Sequence, residues 1–349
     1  MRFHIVQLTT YFPDRDPPLD VYFQQILEQV QLAEELGWDG FWFTEHHFIP
    51  YGGLIANPAV MMAAAAARTS RIRLGSSISI LPLRHPVQTA EDYAMVDVAS
   101  GGRLEFGIGR GNTLEDYTVY GIPLAESRGR FEEATDVILA AWTRERFGHR
   151  GTYWDLPDVA LYPKPIQRPH PPVWVAGTSE ETLRWAGQRG YNIMTVAHPF
   201  PPERVQPAVR AWRAALADGG YDLAARHNMT HLRVWVDEDA ERARAVGERA
   251  IGLYEQVSQQ RTRLSNVVPL ENRDGAYDWA GMRAQGRNVY GTPDEVIAAV
   301  HRGVANYEYD IMGTQFNFGG IPHEDVKRAM RLFAKEVMPA LRDYEPAWR

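Results

Sequence analysis

The run Thr44-Glu45-His46-His47-Phe48 sets two imidazoles and a carboxylate side by side. Three kinds of chemistry fit such a cluster. A metal site is one, but consecutive strand residues face opposite ways, so both histidines reach one ion only if the strand has already ended. In the second, one histidine faces a cofactor as a hydrogen-bond donor or proton shuttle while the other packs into the scaffold. Two structural histidines with satisfied rings are the third. Glu45 could orient either ring as a supporting carboxylate.

Two other segments have the composition of an anion site. In Gly177-Thr178-Ser179, small residues lie immediately before a helical pattern, so backbone can approach a phosphate and the first-turn N–H groups face it. An ordinary N-cap and tight turn would use the same residues. Gly107-Ile108-Gly109-Arg110-Gly111-Asn112 places an arginine between glycines, where its guanidinium could reach the same anion or form a structural ion pair. As a dinucleotide fingerprint it fails, because Asn112 stands where a third glycine belongs and no early strand carries the motif. The sequence has neither a Gly-x-Ser-x-Gly nucleophile elbow nor a Walker loop.

These segments must be held by regular elements, and strand-like and helix-like patterns alternate along the chain. Strands are expected at Phe3–Leu8, Gly40–Thr44, Ile72–Ile80, Leu104–Ile108, Val173–Ala176, Asn192–Val196, Leu232–Val236 and Ile311–Phe316. Amphipathic stretches between them include Val21–Leu36, Val87–Ala99, Phe131–Trp142, Arg204–Ala217 and Pro293–Val304. Pro58, Pro86, Pro202 and Pro293 fall where first helical turns begin, Ser179 and Thr292 fit N-caps, and Gly37, Gly101 and Gly190 fit helix stops. Strand–helix alternation over one undivided stretch, residues 1–349, predicts a (β/α)8 TIM barrel with inserted loops at the C-terminal strand ends, where such barrels gather their active sites. Gly148 to Pro172 reads as a hairpin excursion with a proline-rich return, and Gln256 to Val289 as a long polar connection of the kind that forms lids or insertions.

Composition narrows the function. Of the 349 residues 45% are hydrophobic, enough for a sizeable core, and a net charge of −7 argues against nucleic acid or an anionic membrane as partner. With no cysteine there is no disulfide, thiolate metal site or cysteine nucleophile. Met1 to Val6 leads straight into a strand pattern, and the longest apolar stretch, Ala56 to Ala67, contains Asn57 and Pro58 and is too short to span a bilayer. A soluble, cytoplasmic protein without a metal is expected.

Taken together, the strand-end motifs resemble the bacterial luciferase-like, FMN-dependent monooxygenase family. The resemblance runs nearly end to end. It is carried by Thr44 to Phe48, Gly75-Ser76-Ser77 with Ile80-Leu81-Pro82 and His85-Pro86, Gly102-Arg103-Leu104 with Gly107 to Gly111, Pro163-Lys164-Pro165 to Pro172, Gly291-Thr292-Pro293 with Glu295, and Phe333 to Pro339. It implies reduced FMN and O2 as cofactor and co-substrate, a separate flavin reductase, a small organic substrate and a homodimer. By the same resemblance His46 matches the histidine that supports the flavin hydroperoxide and assists proton transfer, with Glu45 beside it. Arg110, with Asn112 two positions on, matches the phosphate-binding arginine. Gly177-Thr178-Ser179 takes the place of the phosphate turn, and Ser77–Ile78 falls where the family carries a non-prolyl cis peptide under the flavin ring. Gln256–Val289 corresponds to the family's lid. The chain departs at Gly109, where luciferase has a reactive-site cysteine, and at Gly177-Thr178, where it has a glutamate–serine pair; both imply a relative with no role in light emission. The alternatives are a deazaflavin-dependent dehydrogenase on the same fold, a metal-dependent barrel hydrolase and a non-catalytic flavin binder.

Overall fold

The computed structural model describes residues 1–49, 52–198, 200–264, 278–346 and 348, with the side chains of 255 and 257–264 left aside. Eight parallel strands form a closed ring: β1 Arg2–Gln7, β2 Gly40–Phe43, β3 Arg73–Ser76, β4 Leu104–Gly109, β5 Val173–Ala176, β6 Asn192–Val196, β7 Asn228–Val236 and β8 Ile311–Gln315. The ring closes through Met312 of β8 opposite Phe3 of β1. The expected (β/α)8 barrel is therefore the observed fold.

Alternation along each strand sorts the side chains. Phe3, Ile5, Phe41, Leu74, Phe106 and Val175 face outward and join the helices in one large core. Val6, Trp42, Trp174, Met194, Met229 and Ile311 face inward and fill the barrel. Trp42 and Trp174 meet edge to face at its centre, ring centroids 5.3 Å apart. Room for the first indole comes from Gly75, where a Cβ would lie 2.2 Å from the Trp42 ring.

Both indole N–H groups are taken up toward the N-terminal end of the barrel. Trp42 donates to His4 Nδ1 at 2.8 Å, and Trp174 donates to Glu105 Oε2 at 2.6 Å. Glu105 also pairs with Arg73, yet burial outweighs that neighbour and raises its pKa. Burial, with Arg2 and Arg73 nearby, holds the His4 pKa well below its usual value, so the ring is a neutral acceptor.

The helix signals are realised. Proline opens the helices Pro58–Ala66, Pro86–Ala99, Pro202–Asp218 and Pro293–Tyr307. Thr292 and Glu295 form a reciprocal capping box, and Gly37 ends Leu19–Leu36 in the left-handed region at φ 88°.

Two strand expectations are revised. The run Ile72–Ile80 breaks in two, because the Ser77–Ile78 peptide is cis and pairing resumes only at Ser79–Ile80, against Ile108 and Gly109. Strand β7 begins at Asn228, four positions before Leu232. Its polar residues hid it from the pattern, but they are paired: Thr230 with Thr195 at 2.7 Å, and Asn228 with the Tyr307 carbonyl at 3.1 Å. The expected hairpin is present as Phe147–Arg150 with Asp155–Val159; it follows a helix and leads into the start of β5, on the N-terminal face. Its return carries cis bonds before Pro163 and Pro169, and Gln167 there donates to Asp97 at 2.6 Å and to the Leu104 carbonyl at 2.9 Å. In the Gln256–Val289 segment, helix Ala240–Leu264 continues past Gln256, a short helix spans Trp279–Ala284, and the strand Asn288–Gly291 pairs with the far end of β7. The remainder of that expected lid, residues 265–277, lies outside the described residues.

His4 gives a pH test. Its folded pKa is depressed, so below pH about 6.5 the unfolded chain takes up a proton that the folded chain refuses, and stability falls with acidification. His4→Phe removes the acceptor for Trp42 and should cost about 1–3 kcal/mol near neutral pH. It also removes the proton uptake, so in urea unfolding the penalty should shrink by about pH 5. A penalty independent of pH would contradict a neutral, buried His4.

Candidate active site

Above the tryptophan pair, the C-terminal strand ends open into a mouth, and the residues singled out from sequence sit around its rim. At the end of β4, Arg110 has its carbonyl held by the hydroxyl of Tyr117, a side chain only 1% exposed. Its half-buried guanidinium makes no ion pair with any carboxylate among the described residues. Strand β4 pairs with β5 through Gly107 opposite Trp174 and Ile108 opposite Val175. Continued past the strand ends, that register brings Arg110 opposite Gly177. The arginine and the small-residue turn thus follow the ends of two paired, adjacent strands.

The turn itself has two roles. Ser179 caps helix Glu180–Gln188, accepting from Thr182 N at 3.4 Å and donating to Thr182 Oγ1 at 2.9 Å. The expected capping is therefore present, and that hydroxyl is already engaged. Gly177 and Thr178 stay partly open. Glu180 and Glu181 in the first turn set negative charge beside the helix N-terminus, which weakens its pull on an anion. Asn112, on the exposed loop after Arg110, has contacts of its own.

The Ser77–Ile78 peptide is cis, as the resemblance implied, and forms the bend above β3. Ser77 N donates to the Phe43 carbonyl at 2.7 Å, while Ser76 Oγ bridges to Gly107 with contacts of 2.8 and 3.0 Å, fixing the bend against both neighbouring strands. Gly109 lies under it. A Cβ at Gly109 would come within 2.1 Å of Ile78 Cδ1, so the space that a cysteine would need is filled by Ile78.

The two histidines part company, although not by strand alternation: β2 ends at Phe43, and both lie in the loop beyond. His47, 6% exposed, meets Glu45 Oε1 through Nε2 at 3.1 Å and the Tyr120 hydroxyl through Nδ1 at 3.4 Å. Glu45, 2% exposed, also accepts from Ile80 N at 3.3 Å. The carboxylate therefore orients His47 and ties the loop to the segment after the cis peptide. His46 remains half-buried, its backbone N–H directed to the Ile55 carbonyl at 3.4 Å. Among the described residues no group of three or more His, Cys, Asp or Glu side chains is placed to hold a metal ion.

Three groups at the site were missed. Tyr117 and Tyr120 lie on the helix and turn after β4, and no motif marks them. His231 on β7 and Gln315 on β8 face each other at 3.1 Å in the mouth. An imidazole inside a strand pattern was the available signal for that pair, but placing β7 too late obscured it.

A parallel barrel that gathers an arginine, a small-residue turn, a cis bend and a histidine-bearing loop at its C-terminal strand ends has the architecture of the (β/α)8 enzymes. The family follows from comparison: residues 1–307 match the luciferase-like monooxygenase model, and the chain belongs to that family. The monooxygenase RslO1 from Streptomyces bottropensis superposes with a TM-score of 0.87 at 30% identity, covering 97% of this chain and 99% of that one. The oxygenase component of the flavin-dependent trigonelline monooxygenase from Acinetobacter baylyi is 26% identical, over 97% of this chain and 95% of its own length. An F420-dependent secondary alcohol dehydrogenase shares the fold at a TM-score of 0.72 and 20% identity, covering 98% of this chain and 99% of that one. Matches to two uncharacterized proteins of Sinorhizobium fredii cover only 48% and 58% of their lengths. No helix among the described residues is long and apolar enough to cross a membrane.

Glu45 can be tested as an anchor. Glu45→Ala leaves the Ile80 N–H and His47 Nε2 without their acceptor and should cost about 1–3 kcal/mol in urea unfolding. Unchanged stability with abolished turnover would show that the carboxylate serves the chemistry directly.

Proposed function

We propose that this chain is the oxygenase component of a flavin-dependent monooxygenase, taking reduced FMN from a separate flavin reductase and using O2 to oxygenate a small organic substrate. Arg110 carries the proposal. A guanidinium without a carboxylate partner, beside a small-residue turn at the next strand end, suits a phosphate by charge and by its forked donors. Arg110 would bring the positive charge to that phosphate end, since Glu180 and Glu181 at the helix start are paired with Arg184 and Arg128. The flat ring system would rest against the Ser77–Ile78 bend, whose flanks are pinned to β2 and β4. The open turn Gly177-Thr178 and the loop at Asn112 would complete the phosphate end.

Bound reduced FMN would supply the two electrons with which one oxygen atom enters the substrate and the other leaves as water. The protein's share is positioning, exclusion of water and proton handling. The aromatic plug closes the barrel from below, and the Glu45–His47–Tyr120 contacts fix the loop that carries His46. His46, on that fixed loop, would hold or pass the proton at the reacting oxygen, a task suited to an imidazole near neutral pH.

Two outcomes check these roles. Arg110→Ala should weaken FMN binding about 10- to 100-fold while sparing riboflavin, the range for one lost charge-assisted contact. Equal losses for both flavins in a fluorescence titration would refute the phosphate assignment. His46→Ala should leave FMN affinity near wild type yet lower oxygenated product by about 100-fold, with hydrogen peroxide released in its place. Unchanged coupling would remove His46 from proton handling. A deazaflavin would satisfy Arg110 equally well through its own phosphate, so substrate-dependent O2 uptake with FMN, set against hydride transfer with the deazaflavin, separates the two cofactors.

A further inference from the structure

The flavin assignment uses the rim from β2 to β5 and leaves the opposite arc, β7 and β8, without a role. That arc carries the His231–Gln315 pair. His231 alternates inward with Met229, and Gln315 with Ile311. The amide of Gln315 is oriented by its other contacts: Nε2 lies 3.3 Å from the Asn317 carbonyl and 3.5 Å from the Leu8 carbonyl, and carbonyls only accept. Its Oε1 therefore faces His231 Nε2 at 3.1 Å, and since that oxygen also only accepts, Nε2 carries the proton. The bare lone pair is left on Nδ1, to which no described residue donates. His231 is half-buried where its neighbours Thr230 and Leu232 are fully buried, so the ring still reaches the mouth. Burial and the nearby Arg233 push its pKa down to about 4, which keeps the ring neutral and accepting near pH 7.

A fixed lone pair above an apolar floor discriminates by chemistry. It repels a carboxylate or carbonyl oxygen, and Arg233 disfavours a cation beside it. Met194, Met229 and Trp174 beneath it favour an uncharged, largely apolar body. We propose that His231 Nδ1 accepts a hydrogen bond from a hydroxyl on the organic substrate, so that the site selects a neutral, hydroxyl-bearing molecule of phenol type over its ether. Gln315 is the positioning residue that fixes the tautomer. The proposal rests on the flavin assignment only for which arc is left to substrate.

The test uses the full chain labelled with 15N-histidine, with and without FMN, and phenol and anisole as probes. Long-range proton–nitrogen spectra should show His231 as the Nε2–H tautomer. Phenol should shift the Nδ1 signal saturably and bind about three- to tenfold tighter than anisole, the worth of one net hydrogen bond. His231→Phe should abolish that preference, and Gln315→Met should mix the tautomers and reduce it. An Nδ1–H tautomer in the wild type, an Nδ1 signal unmoved by phenol, or equal affinity for the two probes would overturn the proposal. The wild-type spectra decide even where a variant does not fold. Loss of FMN binding with phenol selectivity intact would count against the flavin assignment alone.

Discussion

The crossing of Trp42 and Trp174 inside the barrel is the contact on which the rest of the molecule depends. Two indoles edge to face fill the space that eight strands enclose, and they fit because β3 offers Gly75 beneath one of them. Their N–H groups, which burial would otherwise leave unpaired, are turned toward His4 and Glu105. The plug thereby separates the N-terminal floor of the barrel from its C-terminal strand ends. Below it, Arg73 with Glu105 and His227 with Asp310 satisfy one another.

Around the mouth, three rim segments are each tied to a neighbouring element. Glu45 joins the histidine loop to Ile80, Ser76 joins β3 to β4, and the Tyr117 hydroxyl holds the backbone of Arg110. This bracing divides labour between adjacent residues. His47 belongs to the brace, and His46 is the residue we propose for proton handling.

The strand–helix order was legible because outward strand positions are apolar at period two and helix starts carry proline or a capping hydroxyl. Legibility failed where a local rule yields to a specific contact. Asn228 and Thr230 look wrong for a buried strand until their partners Tyr307 and Thr195 are seen. The hairpin at Phe147–Val159 was legible as a hairpin, but its face follows from barrel connectivity, not from composition. At the site, Arg110 and the Gly177 turn were readable as strand-end residues, whereas their adjacency needed the β4–β5 register. His231 and Gln315 lie 84 positions apart, and only closure of the ring makes them a pair.

We propose one phosphate held between the ends of β4 and β5, with its ring system over the β3 bend. A crystal structure of the protein with FMN bound tests it most directly. The phosphate is expected within hydrogen-bond distance of the Arg110 guanidinium and the Gly177–Thr178 backbone, and the ring against Ser77–Ile78. A phosphate seated at any other pair of strand ends, with Arg110 facing solvent, would contradict it.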